Sequence, residues 1–147
     1  MPSIALRLEI KNGINNCVLI NDFYNSDLDS LKIALNYLNQ QTRNSSRTVI
    51  LSDIEQSGQN TKNLYKEIAK LLKQYKINYL IGIGKNISAN AAAFTVEKTF
   101  FENTTAFEKA FASGGLKFND STILLKGARS FGFENISRAN ETAVRYI

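Results

Sequence analysis

The chain has 147 residues, 44% of them apolar, and a formal net charge of +5 at pH 7 from 18 basic and 13 acidic side chains. This length suits a single domain with a sizeable core. The basic residues form no run of four or more, so neither a nucleic-acid-binding stripe nor a polybasic membrane segment is expected. The absence of histidine excludes Ser-His-Asp catalysis, Cys-His catalysis and histidine-ligated metals.

The single cysteine, Cys17, lies in an apolar run. It has no partner for an intrachain disulfide and no Cys/His cluster for zinc, and we expect it to behave as a small buried hydrophobe. The longest apolar runs are too short to span a membrane, and the first residues do not have the pattern of a signal peptide. A soluble cytoplasmic protein is therefore expected, with neither nucleic acid nor membrane as a partner.

The first part of the chain has the pattern of a β-hairpin. Apolar and polar residues alternate from Ile4 to Ile10, which predicts a half-exposed strand at a sheet edge. Asn12-Gly13 is a turn signal, and the apolar run Cys17–Ile20 follows it. We expect the edge strand to run antiparallel to the next one.

Strands and helices alternate through the rest of the chain. Helical spacing of apolar residues predicts helices over 27–38, 64–75 and 104–112, with short helical pieces at 91–94 and near 134–139. Apolar runs predict strands over 48–51, 79–83, 96–101 and 122–125. This order predicts a three-layer α/β fold: a mostly parallel, Rossmann-like sheet with helices on both faces and an antiparallel edge strand. One domain is expected over 1–139, with a tail or linker over 140–147.

Charged residues fall just after the predicted strands. Because the carboxyl ends of parallel strands meet at one edge of a sheet, where α/β folds bind ligands, these residues predict a site. They are Asp22, Asp53, Lys85, Lys126 and Arg129. Tyr24 and Asn25 add a phenol and an amide to the first of these loops.

The segment 82–86 is rich in glycine but has neither the spacing of a phosphate-binding Walker loop nor the third glycine of a dinucleotide fingerprint. We expect Gly82 and Gly84 to serve close packing and a turn, so the chain is not expected to hold a nucleoside triphosphate by itself.

Two cations and a hydroxyl group follow the last predicted strand, at Lys126, Arg129 and Ser130. An arginine fork and a compact ammonium group suit a carboxylate or phosphate ligand, although a surface loop with ordinary charges has the same composition. Ser26 or Asp27 would cap the first predicted helix, and for Asp27 and Asp29 we expect capping and favourable interaction with the helix dipole.

Three motifs resemble the C-terminal domain of the Mur ligases, the ATP-dependent enzymes that build the peptidoglycan stem peptide. I-N-D-F-Y-N-S at 20–26 resembles the family's D-x-Y-N-A-N. R-T-V-I-L-S-D-I-E-Q-S-G at 47–58 resembles R-x-x-V-x-G-D-M-x-E-L-G, and L-K-G-A-R-S-F-G-F-E at 125–134 resembles V-K-G-S-R-S-x-x-M-E. The chain departs from the second motif at Ser52, Gln56 and Ser57, which leaves Asp53 a weaker candidate that either positions a ligand or caps the next segment.

Within the family, the likeness is to members that add D-alanyl-D-alanine to UDP-N-acetylmuramoyl-tripeptide, in the bifunctional form that continues into an alanine racemase. The resemblance implies a domain that is inactive alone and closes over a central ATPase domain, which would hold ATP and Mg. It implies that Asp22, Tyr24 and Asn25 face the nucleotide. It also implies that Lys126, Arg129 and Ser130 hold the carboxylate of D-alanyl-D-alanine.

Two other interpretations remain open from the residues. Asp22, Asp53 and Lys126 loosely match the acid pocket, phosphoacceptor and lysine of a receiver-like signalling module, although that pocket needs a second acidic residue where this chain has Asn21. The other interpretation is a non-catalytic interaction domain within a fusion protein.

Overall fold

The computed structural model describes residues 9–13, 15–22, 27–40, 46–54, 60–115, 118–127 and 131–133. The strands are β1 (Glu9–Asn12), β2 (Val18–Asp22), β3 (Ser46–Ser52), β4 (Tyr79–Ile83), β5 (Glu97–Phe101) and β6 (Ser121–Lys126). The helices are α1 (Leu28–Gln40), α2 (Thr61–Gln74), α3 (Lys85–Ala89) and α4 (Thr104–Ala112), with a 3₁₀ turn at Ala91–Ala93. Within these residues, no helix has the length and apolar character that crossing a membrane requires.

The strands form one six-stranded sheet in the order β1-β2-β6-β3-β4-β5. β1 runs antiparallel to β2, and all other neighbouring strands are parallel. The predicted mostly parallel sheet with an antiparallel edge strand is therefore confirmed. β6, the last of the described strands, lies between β2 and β3, so the carboxyl ends of these three strands are neighbours.

The predicted hairpin is present, but its turn lies later than the Asn12-Gly13 signal. Asn12 is still part of β1, and the backbone N–H of Gly13 donates to the carbonyl of Cys17 at 2.8 Å. In the connection between β1 and β2, Asn15 and Asn16 adopt the left-handed conformation, with φ of 55° and 61°. Asparagine tolerates this conformation better than most residues, so the turn can form without glycine. As expected, Cys17 is buried, and burial raises the pKa of its thiol.

The predicted helices and strands that fall on described residues are confirmed, with ends that shift by a few residues. α1 begins directly after Asp27, whose Oδ1 accepts a hydrogen bond from the Ser30 amide at 2.8 Å. Asp27 is thus the expected N-cap of this helix. The strand residues before Glu9, the short helix predicted near 134–139 and the tail at 140–147 lie outside the described residues.

Helices cover both faces of the sheet. On one face, Ile20, Leu51 and Leu124 pack against apolar residues of α1 and α2. On the other face, Ile50 and Leu125 pack against Phe107 of α4 and the ring of Phe118. Since successive strand residues point to opposite faces, the continuous apolar runs of β2, β3 and β6 match burial on both sides, and the three-layer arrangement is confirmed.

Candidate functional site

A buried ion pair joins the carboxyl ends of β2 and β6. Asp22 and Lys126 are the last residues of these strands and are paired in register. The alternation along each strand places both on the face of Ile20 and Leu124, and Lys126 Nζ lies 2.9 Å from Asp22 Oδ2. The Lys126 side chain is fully buried and that of Asp22 is 11% exposed. The predicted gathering of charges at one sheet edge is confirmed for these two residues.

The loop that follows β6 begins in contact with the end of β2. The backbone N–H of Gly127 donates to the carbonyl of Asp22 at 3.1 Å. A Cβ on Gly127 would lie 2.7 Å from the ring of Phe133, so only glycine lets this buried ring pack against the loop.

Four predicted site residues lie outside the described residues. They are Tyr24, Asn25, Arg129 and Ser130. Each follows Asp22 or Lys126 by two to four positions in the sequence.

Asp53, the weaker site candidate, bonds to the first turn of α3. Its Oδ1 accepts a hydrogen bond from the Ile87 amide at 2.8 Å, and its Oδ2 accepts one from the Asn86 amide at 3.3 Å. These amides are among those that a helix leaves without an intrahelical partner. These two hydrogen bonds make Asp53 a cap of α3, and a role in positioning a ligand stays a prediction. The capped helix follows the neighbouring strand β4 rather than β3.

The two glycines of the segment 82–86 serve the close packing and the turn that were predicted. A Cβ on Gly82 would lie 2.5 Å from the ring of Phe100. Gly84 has φ of +138°, and a Cβ there would overlap the Asp53 carboxylate, at 2.6 Å from Oδ2. The carboxylate already accepts from the Asn86 and Ile87 amides of α3, so these two amides are not open to a phosphate.

Tyr65 is an additional buried polar residue at this edge that sequence reasoning did not single out. Its hydroxyl oxygen accepts a hydrogen bond from the Ile54 amide at 3.1 Å, which fixes the chain directly after Asp53. Burial raises the pKa of Tyr65 from its ordinary value of 10.0 to about 12; the bond from Ile54 lowers it and the charge of Asp53 raises it further. Its spacing from Ile68 and Leu72 on the apolar face of α2 was the available signal.

Lys85, the remaining charge that follows a strand, is exposed at the first position of α3. Among the residues that the structure describes, no three His, Cys, Asp or Glu side chains lie close enough together to hold a metal ion. The described part of the site therefore consists of the Asp22–Lys126 pair and, on the adjacent strand, the Asp53 cap.

Comparison with known proteins identifies the family. The family described as "Mur ligase, glutamate ligase domain" matches residues 6–129. A curated relative, UDP-N-acetylmuramoyl-tripeptide–D-alanyl-D-alanine ligase of Buchnera aphidicola (subsp. Acyrthosiphon pisum, strain APS), is 27% identical over 135 residues, which cover 92% of this chain and 29% of the relative. The chain thus spans less than a third of that protein's length.

Solved structures of two ligases share the fold. UDP-N-acetylmuramoylalanyl-D-glutamyl-2,6-diaminopimelate–D-alanyl-D-alanyl ligase from Acinetobacter baumannii has a TM-score of 0.69 and 20% identity, over 92% of this chain and 29% of that one. MurF ligase from Thermotoga maritima, solved in complex with ADP, has a TM-score of 0.71 and 11% identity, over 99% of this chain and 33% of that one.

Proposed function

This chain belongs to the Mur ligase family, and we propose that it is the C-terminal domain of an ATP-dependent ligase that adds D-alanyl-D-alanine to UDP-N-acetylmuramoyl-tripeptide in peptidoglycan synthesis. The observation that carries this proposal is the family match over residues 6–129, a range that includes all six described strands. The named activity of the curated relative supports the choice of substrates. The domain is inactive alone, because the ATPase domain belongs to the rest of the parent protein.

In this proposal the two loops at the carboxyl edge of the sheet face different ligands. Asp22 at the end of β2, with Tyr24 and Asn25 shortly after it in the sequence, faces the nucleotide. The loop after β6 faces the incoming dipeptide, whose carboxylate meets the positive charge and hydroxyl group of Arg129 and Ser130 beside Lys126. An arginine fork can bind a carboxylate through two parallel hydrogen bonds, which fixes the direction of the dipeptide's free amine.

ATP and Mg are assigned to the central domain of the parent. The described residues are consistent with this division, because the Asn86 and Ile87 amides at the start of α3 are bonded to Asp53 rather than open to phosphate. ATP would activate the carboxyl group of the tripeptide. This domain would then hold D-alanyl-D-alanine with its amine towards that carboxyl group and exclude water when the domains close.

The remaining partners follow from the same assignment. The central ATPase domain of the same parent protein covers the carboxyl edge of the sheet. UDP-N-acetylmuramoyl-tripeptide is the second substrate, and in the parent an alanine racemase domain follows this one. An enzyme that acts on soluble UDP-linked precursors is expected in the cytoplasm. Its product enters the cell wall, so the enzyme would also contribute to cell shape.

The receiver-like alternative is not favoured by the geometry. Both carboxylate oxygens of Asp53 accept hydrogen bonds from α3, and the residue is only 9% exposed. A phosphoacceptor must instead present a free carboxylate oxygen to the phosphodonor. Incubation with Mg²⁺ and acetyl phosphate should therefore leave Asp53 unlabelled. Phosphorylation at that residue would favour the signalling function.

The first test is the native gene product that carries this segment. An antibody against the domain should detect, in source-cell lysate, a band far above 16.4 kDa. The purified parent should release ADP only when ATP, UDP-N-acetylmuramoyl-tripeptide and D-alanyl-D-alanine are all present. L-alanyl-L-alanine is the control for stereospecific recognition. A product of 16.4 kDa, or a larger one without dipeptide-dependent ADP release, would overturn the proposed function.

A further inference from the structure

We propose that Asn12-Gly13 is a conditional deamidation site, which the pairing of β1 with β2 keeps closed and which opens when this edge strand detaches. The pair Asn-Gly occurs once in the sequence. In the fold it does not form the turn that its composition predicts. Asn12 is the last residue of β1, and Gly13 is bonded to Cys17, directly before β2. The inference is independent of the proposed ligase function.

Deamidation at an Asn-Gly pair is an intramolecular reaction. The backbone nitrogen of Gly13 gives its proton to solvent and attacks Cγ of Asn12. An N–Cγ bond forms, the Cγ–Nδ2 bond breaks, and the leaving amide takes up a proton and departs as ammonia. Water then opens the five-membered imide at one of its two carbonyl groups, which leaves aspartate or isoaspartate at position 12. Glycine favours the attack because no side chain lies beside its nitrogen.

The hairpin keeps this nitrogen from reacting. The Gly13 N–H donates to the carbonyl of Cys17 at 2.8 Å, and Gly13 is buried. The nitrogen can lose its proton to solvent only after this bond breaks. Ring closure also requires a rotation out of the extended conformation of β1, because a strand side chain stands out of the sheet while the next backbone nitrogen lies within it. Both requirements are met when β1 detaches.

β1 is the strand best placed to detach. It has four residues, of which three are exposed, and among the described strands it has one neighbour. β6, by contrast, lies between two strands and is buried throughout. Segments with few buried contacts open at a lower free energy than the core does. Isoaspartate would then hinder re-pairing, since it adds a methylene group to the backbone and disturbs the register with β2.

The strand register supplies a matched pair of proline variants. In an antiparallel pair, residues whose amides bond across the strands alternate with residues whose amides point outwards. Because Gly13 bonds to Cys17, the amide of Lys11 also points towards β2, and the amide of Ile10 points away from it. Lys11→Pro therefore removes a bond between the strands. Ile10→Pro removes none, and proline is tolerated at such outward edge positions.

The test measures deamidation at position 12 in the 147-residue chain at mildly alkaline pH, by peptide mass mapping with fragment ions that locate the change. Each rate is divided by that of a synthetic peptide of residues 9–20 with the same substitution, which cancels the effect of the neighbouring residue on the chemistry. Wild type and Ile10→Pro should react at least about tenfold more slowly than their peptides. On this scale Lys11→Pro should react about 3- to 10-fold faster than wild type, because one hydrogen bond is lost.

Sub-denaturing urea gives a second measurement if Lys11→Pro does not fold. Deamidation of the wild-type chain should rise with urea in parallel with hydrogen–deuterium exchange of the Gly13 amide, because both reactions need the same opening. Equal rates in the folded chain and its peptide would overturn the shielding. Equal scaled rates in the two proline variants, or a rate in urea that does not follow Gly13 exchange, would overturn the role of β1.

Discussion

The carboxylate of Asp53 occupies the space in which a side chain at position 84 would begin. A Cβ built on Gly84 would overlap this carboxylate, at 2.6 Å from Oδ2, and the backbone of Gly84 has φ of +138°. The two residues follow the neighbouring strands β3 and β4. Asp53 reaches the amides of α3 only because residue 84 has no side chain, so the two positions depend on each other.

Gly84→Ala should destabilise this chain by about 2–4 kcal/mol, from the strain of the backbone conformation and the overlap with Asp53 together. Urea denaturation followed by circular dichroism measures the change. Gly114→Ala is the matched control, because Gly114 also has positive φ, +85°, but open space around its Cβ position. It should cost about 1 kcal/mol. Equal losses at the two glycines would contradict the overlap with Asp53.

Asp53→Ala should cost about 1–2 kcal/mol, because two amides at the start of α3 lose their acceptor. Asp53→Asn should cost less, since its remaining carbonyl oxygen can still accept the 2.8 Å bond from Ile87. The double variant Asp53→Ala/Gly84→Ala should lose less unfolding free energy than the two single variants lose together, because the alanine at 53 removes the overlap. Strict additivity in the double-mutant cycle would argue against direct contact.

Tyr65→Phe should cost about 1–3 kcal/mol, because the buried Ile54 amide loses the hydroxyl group that accepts its hydrogen bond. The variant keeps the ring and its edge-to-face contact with Phe94, so the loss reports the hydroxyl group. Equilibrium unfolding in urea at neutral pH measures it. An unchanged midpoint would mean that the Ile54 amide finds another acceptor.

The same tyrosine makes the wild-type protein sensitive to alkali. The pKa of Tyr65 is about 12 in the folded state against 10.0 ordinarily, so between these values the unfolded chain has lost a proton that the folded protein keeps. This contribution to stability is fully present below pH 10.0 and is lost as the pH rises to about 12, by up to ~1.4 kcal/mol per pH unit. Tyr65→Phe should show a shallower loss over this range than wild type, and parallel curves would refute the assignment.

Asp27→Ala should destabilise α1 and the chain by about 1 kcal/mol, because the Ser30 amide loses the side-chain acceptor of the N-cap. Asp29→Ala is the control, since Asp29 is exposed in the first turn and contributes through the helix dipole, about 0.3–1 kcal/mol at low salt. Added salt should reduce the effect at Asp29 more than the effect at Asp27. If the two variants lost the same stability with the same salt dependence, Asp27 would not act as the N-cap.

Arg129→Ala in the parent ligase should raise KM for D-alanyl-D-alanine by about 10- to 100-fold, because a bond to a charged group is removed from the proposed carboxylate site. Steady-state ADP release against dipeptide concentration measures this change. Exposed Lys73→Met controls for the lost positive charge. Unimpaired activity of Arg129→Ala would favour the interaction-domain interpretation over a role in substrate binding.

Local patterns in the sequence predicted most of the element types, because amphipathic spacing and apolar runs are properties of a few consecutive residues. Leu28–Gln40 and Tyr79–Ile83 were predicted closely, as were the cap at Asp27 and the packing roles of Gly82 and Gly84. The hairpin turn was placed too early because both Asn12-Gly13 and Asn15-Asn16 are turn-forming pairs. Strand register decides between them, and register is not a local property.

The sequence by itself determined the class of fold, the antiparallel edge strand and the edge at which charged residues collect. Only the tertiary structure decided that β6 lies between β2 and β3, and hence that Lys126 pairs with Asp22. It also decided that Asp53 caps α3, the helix that follows the neighbouring strand β4, and that the Tyr65 hydroxyl group accepts a hydrogen bond from the Ile54 amide. Each contact joins segments that only the strand order and helix packing bring together, and no pattern within one segment specifies its partner in another.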